Sequence, residues 1–434
     1  MTNTVEKRAL RRITWRIVPF VCFLYFIAFL NRVSIGFAGI TMNKDIGLTS
    51  AVFGFGAGIF FIGYFIFEVP SNLILEKVGA RKWIARIMLT WGIISGATAF
   101  VTDAYGFYVV RFLLGVAEAG FFPGIILYLS YWFPARKRAV VTAIFMAAAP
   151  ISVALGSPLS TALMQLEGMG FKGWQWMFIL EALPALIMSV VTYFYMTDRP
   201  SKAKWMPEDE KAWLVQTMDA EAAARAGVSH HSPWKALIDL RVLALGLVYF
   251  GTSAGLYTLG IWAPLIIKQL GVSTMTVGFL NMVPPTVSVL AMYLWSWHSD
   301  RTGERSWHVV IACLCASAGL MMAGGWATSI IGVILTLTLV NIGISSCKPP
   351  LWSIPTLFLT GPGAASGIAA INSIGNLGGF AGPAMIGWIK QSTGSFAGGL
   401  YFVAGLLVLS AVLILVLARQ AVRTAQAQVK NKTH

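Results

Sequence analysis

Twelve apolar runs follow one another along the chain, at approximately 17–42, 51–75, 82–102, 105–132, 138–163, 174–196, 241–268, 275–297, 307–326, 329–359, 364–390 and 397–418. Each is long enough to cross the roughly 30 Å hydrocarbon core of a bilayer as a helix. That pattern leaves little choice of fold: backbone groups deprived of water must bond within each segment, which helices do. Charged residues make up 11% of the 434, against about 25% in a soluble domain, so lipid and neighbouring helices are the main solvent. The expected fold is an all-α membrane protein of twelve transmembrane helices.

An even number of spans puts both termini on one face. Of the 32 Lys and Arg residues, 25 lie in segments on that face or at the helix ends bordering it, and four (Lys44, Lys172, Lys268 and Lys390) on the other. The asymmetry makes the terminal face cytoplasmic, by the excess of positive charge that cytoplasmic loops carry. The net charge of +15 is thereby a matter of topology and of contact with anionic lipid, and nucleic acid is not expected as a partner. Cys22, Cys313, Cys315 and Cys347 all sit in apolar spans and form neither a disulfide framework nor a metal motif. The basic start is followed by an apolar run too long for a signal peptide, so it is read as the first span.

The segment Glu76-Lys77-Val78-Gly79-Ala80-Arg81 recurs as Asp300-Arg301-Thr302-Gly303-Glu304-Arg305, 224 residues on, and the first and seventh spans start with the same offset. Two independent markers imply a duplicated six-helix unit. The expected organisation is an N-terminal bundle over 1–196, a cytoplasmic linker over 197–240, and a C-terminal bundle with a short tail over 241–434. The halves would be related by a pseudo-two-fold axis along the membrane normal. Within the linker, Pro207-Glu208-Asp209-Glu210 opens a short helix ending near Gly227, read either as an amphipathic segment at the bilayer surface or as a floppy tether.

The repeated loop resembles the Gly-x-Leu-x-Asp-Arg/Lys-x-Gly-Arg-Arg signature of the major facilitator superfamily in its second half, with Glu76 in place of Asp and Asn72 in place of the first Gly. Further stretches are similar to the anion:cation symporter branch of that superfamily, which includes carriers of tartrate, phthalate, hydroxyphenylacetate and sugar acids. These are Leu30 to Ala38 with Met42-Asn43-Lys44-Asp45, Glu68-Val69-Pro70-Ser71-Asn72, and Arg111 to Pro123. In the second half they are Pro350-Leu351-Trp352-Ser353-Ile354-Pro355 and Asn372-Ser373-Ile374-Gly375-Asn376. The resemblance covers nearly the whole chain. It implies alternating access, an inner-membrane location, a working monomer, and an inner gate latched by Glu76 and Arg81 in one copy and Asp300, Arg301 and Arg305 in the other.

Charges inside the spans carry the chemistry. Arg32 lies about ten residues from the outer end of its helix, roughly 15 Å deep, where an arginine costs about 3 kcal/mol unless a partner or watery cavity receives it. Arg111 and Glu118 are seven residues apart on one face of the fourth span. Two guanidiniums offer forked donors to a carboxylate, and a neighbouring carboxyl can take up a proton. The other reading is that Arg111 and Glu118 merely neutralise each other. Lys348, beside Pro349 and Pro350, is a third cationic candidate or a lysine snorkelling from a kinked helix.

By resemblance, Tyr64, Trp352 and Asn376 line the binding cavity, and Asn31 stands where related symporters often carry a carboxylate. This leaves Asn31 to bind substrate or to pack, and leaves Glu118 as the proton-coupling group. Glu68 and Glu181 are assigned gate or packing roles near helix ends. Gly251-Thr252-Ser253-Ala254-Gly255 matches a hydrolase string but lies within an apolar span without an acid and histidine to complete it. The expectation is a transporter and not an enzyme, without metal or cofactor beyond the coupling proton. It carries a small organic anion, a mono- or dicarboxylate, in symport with protons. An exchanger, an exporter or a non-transporting sensor of the same fold are the alternatives.

Overall fold

The computed structural model describes residues 2–226, 239–325, 329–355 and 362–432. These form fifteen α-helices: α1 (Thr2–Asp45), α2 (Ser50–Val78), α3 (Ala80–Ala97), α4 (Ala104–Glu118), α5 (Phe121–Trp132), α6 (Ala135–Leu163), α7 (Gly173–Tyr195), α8 (Glu208–Ala226), α9 (Leu240–Lys268), α10 (Thr274–Thr302), α11 (Ser306–Gly325), α12 (Ile330–Ser353), α13 (Pro362–Asn376), α14 (Gly378–Thr393) and α15 (Ala397–Lys432). Eleven segments are long and apolar enough to span a membrane, α4 and α5 counting as one. The remaining run, 364–390, is divided between α13 and α14, each too short alone. Large apolar side chains such as Phe194, Ile331 and Leu290 are more than two-thirds exposed. A water-soluble surface would bury many of them, whereas a lipid-facing one presents them.

The chain divides into two compact units. The first comprises 1–47 and 59–229, the second 48–58 and 230–434. In the first, α1 packs on α6 and α7, and α3 packs on α7 and α4. In the second, α11 packs on α12 and α15, α10 on α12, and α9 on α13, α14 and α15. The unit boundaries differ from the sequence expectation at two places. Residues 48–58, the opening turns of α2, group with the second unit: the Ala51 amide donates to Gln391 Oε1 at 3.0 Å, and a Cβ at Gly54 would meet Pro383 O at 2.5 Å. The described part of the linker groups with the first unit.

The described part of the linker up to Ala226 is folded and docked. Helix α1 begins well before the apolar run, and its first turns carry Arg8 and Arg12 to α8. Arg8 Nη2 pairs with Asp209 Oδ2 at 2.6 Å, and Arg12 Nε donates to Glu210 Oε2 at 2.7 Å. The Glu210 side chain is buried against these arginines, and Arg138 pairs with Glu221 at 3.6 Å farther along α8. Three acids in the first turn of α8 also suit the positive end of its dipole. Residues 227–238, with His230 and His231, lie outside the described set.

Candidate functional site in the first unit

Close backbone approach between α2 and α4 builds the site. A Cβ at Gly115 would lie 1.9 Å from Phe60 O and 3.0 Å from Tyr64 N, and one at Gly63 would lie 2.5 Å from Phe112 O. Only glycine lets the two helices come this near, and the contact sets Phe60 and Tyr64 beside the face of α4 that bears Arg111 and Glu118. Helix α4 then stops. Ala119 leaves the helical region and Gly120 adopts φ +85°, where a side chain is disfavoured. The carbonyl freed at Ala119 accepts from Ser71 Oγ at 2.6 Å. Glu118 is thus the last residue of a helix that breaks within the bilayer, the kind of interruption that membrane helices tolerate where it is sheltered by protein.

Arg32, Arg111 and Glu118 are 8%, 1% and 1% exposed. Neither guanidinium faces lipid. Arg32 Nη2 is ion-paired and hydrogen-bonded to Glu118 Oε1 across the α1–α4 interface. Its Cζ lies 5.2 Å from the centroid of the Phe60 ring, 5.4 Å from that of Tyr64 and 6.0 Å from that of Phe29. The Arg111 Cζ lies 5.2 Å from the same Phe60 centroid, so the two cations are within twice that distance of each other. Aromatic faces attract cations through their quadrupole, which offsets part of the cost of holding two guanidiniums together. Arg32, Arg111 and Glu118 are thus gathered around one aromatic ring.

Tyr64 therefore lies beside Arg32. Of the two readings of Asn31, binding or packing, its contacts are those of packing. Its Nδ2 donates to Ile27 O and to Glu181 O, both at 3.1 Å, and its Oδ1 accepts from Ser95 Oγ at 2.6 Å. Both amide protons and the carbonyl are engaged in helix packing. Glu181, expected near a helix end, is fully buried and meets the hydroxyls of Ser34 and Ser160. Phe60 was not singled out from sequence, and only its spacing of four from Tyr64 on a helix face could have found it.

The second unit holds the remaining candidates. Trp352 packs edge-on against Tyr249, with ring centroids 5.1 Å apart. The same Tyr249 ring lies on Gly375, where a Cβ would be 1.8 Å from Cδ1. Asn376 follows, buried at the end of α13, and Lys348 is half-buried one turn before Trp352 on α12. Helix α12 runs through Pro349 and Pro350 to Ser353 as one continuous helix.

The repeated loops differ in detail. In the second copy, Arg305 Nη1 pairs with Asp300 Oδ1 at 2.6 Å and reaches Ser299 Oγ at 3.0 Å, while Arg301 stacks over Trp297. In the first copy Glu76 is exposed. The carboxylate that meets the start of α3 is Asp198, which accepts from the Arg81 amide at 2.9 Å, and the Arg81 guanidinium lies over Tyr193. Asp198 sits in Thr197-Asp198-Arg199-Pro200, just past the sixth span, and an acid before a proline at a span end was the available signal.

Comparison with known proteins places this architecture. A protein of Agrobacterium vitis named "Putative tartrate transporter" is 67% identical over 433 residues, covering 100% of this chain and 96% of its own. A "Quinolone resistance transporter" of Acinetobacter baumannii is 38% identical, with 98% and 99% covered. Among solved structures, the xylose transporter XylE from E. coli superposes with a TM-score of 0.74 at 14% identity, over 93% of this chain and 97% of that one, a likeness of fold. The family model described as Major Facilitator Superfamily matches residues 21–383. With α-helical spans throughout, a duplicated loop motif and relatives along its full length, this chain belongs to the Major Facilitator Superfamily.

Proposed function

We propose that the chain is a proton-coupled symporter that takes up a small organic anion across a bacterial inner membrane by alternating access. It works as a monomer with both termini cytoplasmic. The observation that carries this reading is the buried Arg32–Glu118 pair with Arg111 beside it. Two guanidiniums gathered on one aromatic ring in a site closed to lipid offer the forked donors that match a carboxylate in bidentate geometry. An anionic cargo is the ligand that such donors select.

Coupling follows from competition for one fork. While Glu118 is ionised it occupies the Arg32 guanidinium. A proton on Glu118 removes that claim and frees Arg32 for a substrate carboxylate, so the proton and the anion favour each other's binding. With Glu118 neutral the cluster carries two positive charges, which match a dicarboxylate. The Agrobacterium relative's name makes tartrate the first dicarboxylate to try. Tyr64, beside Arg32, is placed to donate its hydroxyl to a substrate oxygen. On the second unit, Trp352, Asn376 and Lys348 are the proposed counterparts.

Tartrate flux in proteoliposomes with an imposed pH gradient tests this. Acid outside is expected to drive accumulation by the wild type. Glu118→Gln is expected to lose accumulation while keeping tartrate–tartrate exchange, because a permanently neutral side chain leaves Arg32 free but carries no proton. Undiminished gradient-driven accumulation in Glu118→Gln would remove Glu118 from the mechanism. The Acinetobacter relative, named for drug resistance, favours export as a second reading. Flux driven only by acid on the lumenal side of outward-oriented transporters would select it.

A further inference from the structure

Glu181 is another buried carboxyl of the first unit, besides Glu68, Glu118 and Glu210, and the proposed transport cycle leaves it without a role. It lies mid-helix on α7, in the seam where α7 packs on α1 and α6. Ser160 Oγ of α6 donates to its Oε1 at 2.6 Å, and Ser34 of α1 bonds its Oε2. The backbone carbonyl of the same residue accepts from Asn31, which in turn accepts from Ser95 of α3. Four helices are therefore joined at one residue.

Ser34 Oγ donates to Leu30 O at 2.7 Å and to Glu181 Oε2, sharing its proton between them. A glutamine at this position keeps both links: its carbonyl accepts from Ser160, and its NH2 donates to Ser34, whose own proton then goes to Leu30.

Helix geometry connects the seam to the anion site. At 100° per residue, Asn31 and Ser34 point within about 60° of each other on α1, and Arg32 points roughly 130° away from their mean direction. Glu181 thus grips one face of α1 while Arg32 projects from another toward Glu118. A rotation of about 20° at a side-chain radius of 5–6 Å would shift the guanidinium by about 2 Å. We propose that Glu181, bonded through its carboxyl to Ser34 and through its backbone carbonyl to Asn31, is a positioning residue that sets the rotation of α1 and so aims Arg32 at the substrate carboxylate. The proposal rests on Arg32 being an anion ligand.

The test is tartrate uptake by reconstituted full-length protein carrying Glu181→Gln, Glu181→Leu, Ser34→Ala or Arg32→Lys, with KM and Vmax measured separately and folding checked by thermal melting. Since a misplacement of 1 Å can cost about 100-fold, Glu181→Leu is expected to raise KM about tenfold or more. Glu181→Gln is expected to stay within about twofold of wild type in KM and to keep its pH-driven accumulation, because the amide reproduces both contacts. Ser34→Ala removes the link to α1 without touching α7 and is expected to raise KM in the same direction, which carries the test if the leucine variant does not fold.

An unchanged KM in both Glu181→Leu and Ser34→Ala would overturn the positioning role, and a drop in Vmax alone would mark Glu181 as a packing residue. Loss of pH-driven accumulation in Glu181→Gln would also overturn it, making Glu181 a proton carrier. Arg32→Lys separates the two layers. If it transports tartrate normally, the anion-site reading fails; if it raises KM while the Glu181 and Ser34 variants do not, only the positioning role fails.

Discussion

Arginine differs from lysine in ways that matter here, because the planar guanidinium makes two parallel bonds to a carboxylate and stacks on aromatic faces, and the ammonium does neither as well. Arg32 and Arg111 both approach the Phe60 ring. Arg111→Lys keeps the charge but loses the fork, and is expected to raise the KM for a dicarboxylate about tenfold or more, given about 1.5–3 kcal/mol for a hydrogen bond to a charged group. A KM unchanged in transport assays would place Arg111 outside the site. Tyr64→Phe keeps the ring against Arg32 and deletes only the hydroxyl, so a rise in KM with unchanged thermal stability is expected if that hydroxyl holds the cargo. At this scale the charged members of the site were legible, since an ionisable group in an apolar run stands out. Phe60 was not, because one phenylalanine among 27 has no distinguishing mark. The orientation of Asn31 was hidden for a different reason: its partners Ser95 and Glu181 come from helices distant in sequence.

Helices bring these residues together through contacts that a single side chain would spoil. Gly115 rests on the backbone of α2 at Phe60, and in a well-packed interior an added methyl typically costs about 1–3 kcal/mol. Gly115→Ala is expected to lower the melting temperature of the purified protein and to raise the KM, because α2 must move and carries Phe60 and Tyr64 with it. Wild-type melting and transport would contradict the close approach. Helix α8 offers a separate check. Glu210→Ala removes the buried carboxylate that holds Arg12 and faces Arg8, and trypsin is expected to cleave the linker near Lys204 and Lys211 faster than in the wild type. Equal cleavage would mean that α8 is held by other contacts. The sequence pattern marked α8 as a helix but left its docking open, since ion pairs between residues about 200 apart leave no local trace. Pro349 and Pro350 do not interrupt α12 over its described length. A proline removes one hydrogen bond and crowds the turn before it, but close to the end of α12 that disturbance falls where the helix was about to finish.

Across the whole molecule, fold class was the most legible property. Hydrophobic length alone marked the spans, and the repeat from Glu76 to Asp300 marked the duplication. Less legible was the grouping of residues 48–58 with the second unit, because a continuous helix such as α2 gives no sign of where its packing partners change. The central claim concerns charge: sheltered guanidiniums exist to meet an anionic cargo. Equilibrium binding of tartrate and of its uncharged diamide, measured by calorimetry on the purified wild type and on Arg32→Ala with Arg111→Ala, tests that claim most directly. The account predicts that the wild type binds the diacid and not the diamide, and that the double variant binds neither. Equal binding of acid and amide by the wild type, or undiminished binding of tartrate by the double variant, would contradict it.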